Sequence, residues 1–185
     1  MTTLYCLGDS LTFGPGVRQK WTALAASQDL HLVIMGVPGD TTAGMLARLQ
    51  PLLAQKPQAV LLLGGSNDIF FTGSDLCARN NMAAMVHQLL SAGCRVYVGL
   101  PLPVVPEAAP QKWAALTDFA AADRLLQDYC GWLVRFCQAF GVPVVDFRKD
   151  YVNQNGVRRE LFADGLHPNA QGHQVMAATL REALA

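Results

Sequence analysis

The sequence predicts an α/β fold, a three-layer α/β/α sandwich built on a five-stranded parallel sheet in the flavodoxin-like order 2-1-3-4-5. Three observations carry that expectation. Short apolar runs alternate along the chain with stretches of helical periodicity, which is the pattern of repeated strand-helix units. The runs are continuously apolar, as in strands covered by helices on both faces. No linker or shift in composition divides the 185 residues, so residues 1–185 are expected to form one domain. Right-handed crossovers then lead to a doubly wound sheet.

Each element has its own signal. The first strand, residues 4–7, runs abruptly into Gly8-Asp9-Ser10-Leu11. A helix over 18–28 places Trp21, Leu24 and Ala25 at helical spacing, and 31–35 is a second strand. Residues 37–42 combine turn chemistry with helix-capping residues, after which Leu46, Leu49, Leu52 and Leu53 form one apolar face that ends at Pro57. The third strand, 59–63, is apolar throughout. Residues 78–92 place Met82, Met85, Val86, Leu89 and Leu90 on a helix, and 95–100 is the fourth strand. Four prolines make 100–110 a stiff loop. A long helix over 118–140 carries Phe119, Ala122, Leu126, Tyr129, Leu133, Phe136 and Phe140 in a stripe suited to packing on a sheet. The fifth strand is 142–147, residues 148–163 are irregular and polar, and 168–184 is a final amphipathic helix.

Composition excludes several functions. The 14 Lys and Arg balance the 14 Asp and Glu, and no basic run is interleaved with aromatics, so neither nucleic acid nor a membrane surface is an expected partner. No apolar run reaches the length needed for stable membrane insertion. The five cysteines include no C-x-x-C pair; Cys130 and Cys137 stand about 10 Å apart on one helix, too far to bridge, and read as core residues. With no leader-like segment before the first strand, a cytoplasmic location is expected. Nothing resembles a metal cage or a phosphate loop, and no cofactor is expected.

The chemistry-bearing residues fall after strands 1, 2 and 3 and before the last helix, where all face one end of the sheet. Ser10 follows strand 1. A serine there is commonly a helix cap, and as a nucleophile it needs a base and an oxyanion site. Asp164-Gly165-Leu166-His167-Pro168-Asn169 supplies the base: an aspartate three residues before a histidine can curl back to Nδ1 and leave Nε2 for the serine proton. Among the four histidines only His167 has this setting; His31, His87 and His173 read as bystanders. Asn67, in Gly64-Gly65-Ser66-Asn67-Asp68, offers side-chain hydrogens to an oxyanion, and Gly39 offers a backbone N–H. Ser66 is a rival nucleophile without an advantage over Ser10. Asp9 and Asp68 are expected to brace their loops. Together these residues fill the roles of acyl transfer.

Gly8-Asp9-Ser10-Leu11, Gly39, Gly65-Ser66-Asn67-Asp68 and Asp164-Gly165-Leu166-His167 resemble the four ordered blocks of the SGNH or GDSL esterase and lipase family. The resemblance spans nearly the whole chain and implies a triad of Ser10, His167 and Asp164, with an oxyanion hole of the Ser10 and Gly39 N–H groups and the Asn67 side chain. Residues 36–42 are similar to the branch containing bacterial thioesterase/lysophospholipase and arylesterase members, with Ile34 where that branch commonly has asparagine and Pro38 where serine is frequent. The implied reaction is hydrolysis of small or medium acyl esters, including lysophospholipid or thioester substrates, through an acyl-enzyme on Ser10. The alternatives are a carbohydrate O-acetylesterase and, from a different class, a non-catalytic flavodoxin-like binding domain. Loops 101–110 and 148–163 are expected to border the substrate site.

Overall fold

The computed structural model describes residues 2–185. Strands β1 (Thr2–Gly8), β2 (Leu30–Gly36), β3 (Ala59–Leu63), β4 (Arg95–Gly99) and β5 (Val144–Val145) form one parallel sheet in the order β2-β1-β3-β4-β5, as the sequence predicts. A short antiparallel hairpin, β6 (Val152–Asn153) and β7 (Gly156–Val157), lies apart from it. The apolar runs are explained by β3. Its Val60 and Leu62 enter a core on one face of the sheet, while Ala59, Leu61 and Leu63 enter a second core on the other. Side chains on a strand alternate between faces, so a strand covered on both sides must be apolar at every position.

Helices α1 (Ser10–Phe13), α2 (Trp21–Ala25) and α9 (Ala170–Leu184) cover one face through Leu11, Trp21, Ala25, Met176 and Leu180. The other face takes α3 (Thr42–Ala47), α4 (Leu49–Leu53), α5 (Ser66–Thr72), α6 (Leu76–Ser91) and α8 (Phe119–Phe140). A short helix, α7 (Gln111–Ala114), lies outside the sheet layers, between the stiff loop and α8. The α8 stripe packs as the periodicity predicts through Phe119, Ala122, Leu126, Tyr129 and Leu133, all buried, whereas Phe136 is only partly buried and Phe140, in the last turn before Gly141 closes the helix, is 48% exposed.

Several boundaries differ from the sequence reading, each for a local reason. The helix over 18–28 shortens to α2 because Lys20 provides no side-chain cap and Ala26 is extended. The single apolar face after residue 42 is split at Arg48 into α3 and α4, which moves Pro51 into the first turn of α4, where its missing N–H loses no helical bond. Strand 5 is only two residues long: the Val142 N–H is spent on the carbonyl of Cys137 at the end of α8, and Phe147 turns back onto Val145.

The register sets up the site. Gly8 at the end of β1 pairs with Gly36 of β2 and with Leu63 of β3, so three strands end side by side. The segments that follow them, from Asp9, Val37 and Gly64, therefore emerge along one ridge, where ligands bind in open α/β sheets.

Candidate active site

Ser10 is the first residue of α1. Asp9 caps that helix, its Oδ1 accepting the Leu11 N–H at 2.8 Å, and this fixes the backbone from which the Ser10 side chain projects. From the far end of the chain, His167 Nε2 comes within 3.0 Å of Ser10 Oγ. The other ring nitrogen, Nδ1, lies 2.9 Å from Asp164 Oδ2 and 3.2 Å from Oδ1. An ionised carboxylate only accepts, so Nδ1 carries the hydrogen, and in the neutral ring Nε2 turns a lone pair toward the serine hydroxyl.

Asp164 is held in the ionised form. Burial pushes its carboxyl up, but bonds from the His167 ring and from the His167 and Leu166 backbone N–H groups outweigh that and bring it down to about 2. The loop that carries the pair is braced from below: Ala163 donates to the His167 carbonyl at 2.8 Å, and Phe162 pairs with Pro168. Asn169 caps α9 and donates its amide to the carbonyls of Glu160 and Phe162. Residues 148–163 thus support the histidine loop. The expectation that they border the substrate site is corrected: the cleft is lined by other segments.

The cleft has a volume of about 220 Å³ and brings together Ser10, Gly39, Asn67 and His167. Loop 101–110 does border it, through Leu102, Pro103 and Val104. Ser66 also faces the cleft, but the histidine bonds Ser10. Gly39 sits at φ +77°, a conformation that favours glycine, in the turn between β2 and α3. Asn67 Nδ2 donates to the Asp40 carbonyl at 2.8 Å, tying β3's loop to that of β2; an amide nitrogen carries two hydrogens, so one remains.

Asp68 braces as expected, taking the Thr42 N–H at 2.9 Å and the Thr42 hydroxyl at 2.6 Å. Asp9 carries a second property. Burial pushes its carboxyl up to about 7; the Leu11 N–H and His167 oppose the rise, and Asp40 and Asp68 add to it. Of the other histidines, His31 and His87 are exposed, while His173 is buried with Nδ1 accepting the Trp21 N–H at 3.1 Å. None of these three bonds Ser10.

One residue that braces the loops of the cleft escapes the sequence reading. Arg48, at the break between α3 and α4, donates to the Met35 carbonyl at 3.0 Å and the Gly8 carbonyl at 3.3 Å, and pairs with Asp40 Oδ2 at 2.5 Å. It supplies the polar support of the Gly39 loop where Ile34 and Pro38 depart from the resembled branch. Its partners lie up to 40 residues away, and two of them are backbone carbonyls, so no local motif marks it.

The sequence model of the GDSL-like lipase/acylhydrolase family matches residues 6–175. The chain belongs to this family. It is 30% identical to esterase TesA of Pseudomonas aeruginosa over 176 residues, which cover 90% of this chain and 79% of that protein. A G-D-S-L family lipolytic protein from Desulfitobacterium hafniense superposes with a TM-score of 0.83 over 99% of both chains at 20% identity. The lipase/acylhydrolase of Enterococcus faecalis is 25% identical with a TM-score of 0.73, covering 98% of this chain and 94% of that one. Membership makes this GDSL hydrolase a carboxylic ester hydrolase acting on small-molecule esters. Among the described residues no helix is long and apolar enough to cross a membrane.

Proposed function

We propose that this enzyme hydrolyses short to medium acyl esters through an acyl-enzyme on Ser10. The observation that carries the reading is the relay from Ser10 Oγ through His167 to Asp164, at 3.0 Å and 2.9 Å, opening into a cleft walled by Leu102, Val104, Phe70 and Trp113. As Oγ attacks the ester carbonyl, Nε2 takes its proton, and Asp164 stabilises the imidazolium and holds the ring in the working tautomer. The carbonyl oxygen becomes an oxyanion; the Ser10 and Gly39 N–H groups and the remaining Asn67 amide hydrogen are its donors. His167 then protonates the departing alcohol or thiol. In the second half it draws a proton from water, which attacks the acyl-serine and releases the acid.

The apolar wall favours a hydrocarbon acyl chain over a sugar-bound acetyl group, which places carbohydrate O-acetylesterase activity second. A non-catalytic binding role is set aside because the chain belongs to a family of hydrolases. Buried thiols at Cys6, Cys94, Cys130 and Cys137 suit a reducing compartment and support the cytoplasmic reading.

The test is Ser10→Ala with a p-nitrophenyl acyl ester. The expected loss in kcat is on the order of 10³-fold or more, with the circular dichroism spectrum unchanged. An organophosphonate should label the wild type at Ser10 and spare the variant. Full turnover by Ser10→Ala would remove the nucleophile assignment.

A further inference from the structure

The cleft is open at the carboxyl edge of the sheet, and one wall does not come from the sheet or its covering helices. Residues 104–117, containing a 3₁₀ turn (Pro106–Ala108) and α7, run as a strap from within the stiff loop to the start of α8. The strap is tied at both ends. At one end the Val104 N–H donates to Asp123 Oδ1 and the Val105 N–H to the Gly165 carbonyl, each at 2.9 Å. At the other the Thr117 hydroxyl donates to the Phe70 carbonyl at 2.8 Å, in a buried position. Between the ties, the backbone bonds of residues 106–116 stay within the strap, as from Trp113 to Pro110 and from Leu116 to Trp113.

Ala108 and Ala109 pack the strap against the two cores, and the Trp113 side chain brings its helix to the cleft. Its indole lines the cleft together with Phe70 and stacks on Phe71, the ring centroids 5.4 Å apart and the planes 25° from parallel. Phe71 is 52% exposed, and the Trp113 indole covers one face of its ring. Consecutive residues of α5 thus serve one tryptophan, Phe70 as the adjoining wall of the cleft and Phe71 as the support behind it.

We propose that Trp113 is the outer wall of the acyl pocket and that this strap sets the longest acyl chain the enzyme accepts. The inference rests on the ester-hydrolase reading of the cleft given above. Against the roughly 300–1,000 Å³ of pockets that take drug-sized ligands, a cleft of about 220 Å³ is small and suits a short acyl chain. Once the reacting carbonyl is placed against Ser10, such a chain fills it. A longer chain must displace the indole, and with it the stack on Phe71. Residues 104–117 also hold Gly165, the residue after Asp164, so the same strap that measures the chain braces the loop carrying the relay.

The experiment is a series of p-nitrophenyl esters from acetyl to decanoyl, measured as kcat/KM on the wild type, Trp113→Ala, Trp113→Phe and Phe71→Ala. Wild-type values should rise to the hexanoyl ester and fall beyond it. Trp113→Ala should raise the octanoyl-to-hexanoyl ratio about tenfold or more, the scale at which one or two methylenes are discriminated. Phe71→Ala, which removes the support and leaves the indole, should raise the ratio by about threefold, with Trp113→Phe between the two. A ratio that stays constant or falls in Trp113→Ala overturns the proposal. Should that variant melt below the assay temperature, the same criterion applies to Trp113→Phe and Phe71→Ala. An active wild type with parallel variant profiles removes this inference alone, whereas a wild type inert to every ester removes the acyl-ester reading with it.

Discussion

Arg48 gathers the carbonyls of Gly8 and Met35 and the carboxylate of Asp40 with one planar guanidinium, so the ends of β1 and β2 and the Gly39 turn are held in a fixed relation. A lysine offers a single compact charge and cannot reproduce that fork. Arg48→Met keeps most of the stem and removes the donors, which under the proposed mechanism lets the Gly39 N–H drift from the position of the oxyanion. The expected result is a fall in kcat of about tenfold with little change in KM, because the donor matters more in the transition state than in substrate binding. Arg48→Lys should recover only part of the loss. A variant whose KM rises while kcat holds would assign Arg48 to substrate binding instead. The serine, histidine and aspartate were legible because each sits in a short motif at a strand end or helix start; Arg48 was not, because only the tertiary fold brings its acceptors together.

At the scale of elements, β3 and α8 match the sequence reading to within a residue, since an unbroken apolar run and a long stripe leave few alternatives. Helix α5 has no such signal in the sequence. Gly64-Gly65-Ser66-Asn67-Asp68 reads locally as turn chemistry, and the helix that begins there is stabilised from elsewhere: Asp68 by Thr42, Asn67 by Asp40, and Ile69 and Phe70 by the core. Gly65 makes the transition possible. It stands at φ +113°, and a Cβ there would lie 2.5 Å from the Tyr129 ring, whose hydroxyl donates to the Gly64 carbonyl. Tyr129 is fully buried on α8 and has no room to retreat. Gly65→Ala is therefore expected to destabilise the fold by about 2–4 kcal/mol, combining backbone strain with overpacking. A urea titration reads this directly, and a midpoint equal to that of the wild type would mean that α8 can shift to accept the methyl group.

Across the whole molecule, two buried groups that bond none of the reacting atoms make opposing contributions to acid stability. His173 joins α9 to the start of α2, and burial, followed by the charges of Lys20 and His167, lowers it from 6.5 to about 4. The unfolded chain takes up that proton below about pH 6.5 while the folded chain resists it until about pH 4, so stability is lost as the pH falls through this interval. Asp9 runs the other way. Its carboxyl, raised from 3.8 to about 7, holds a proton in the folded chain that the unfolded chain releases, so its contribution is present at low pH and is lost as the pH rises through nearly the same interval. Each slope is at most about 1.4 kcal/mol per pH unit, and their opposition predicts a nearly flat wild-type stability between about pH 4 and about pH 6.5. Asp9→Asn keeps an oxygen for the Leu11 N–H and removes the titration. That variant should exceed the wild type in urea midpoint near about pH 8, where Asp9 is otherwise a buried charge, and should lose stability as the pH is lowered toward about 4. Asp164, held at about 2, adds its own loss only at more acid pH, so it leaves the comparison undisturbed. If the variant's midpoint instead ran parallel to that of the wild type from about pH 4 to about pH 8, Asp9 would have to ionise in the folded chain as an ordinary carboxylate.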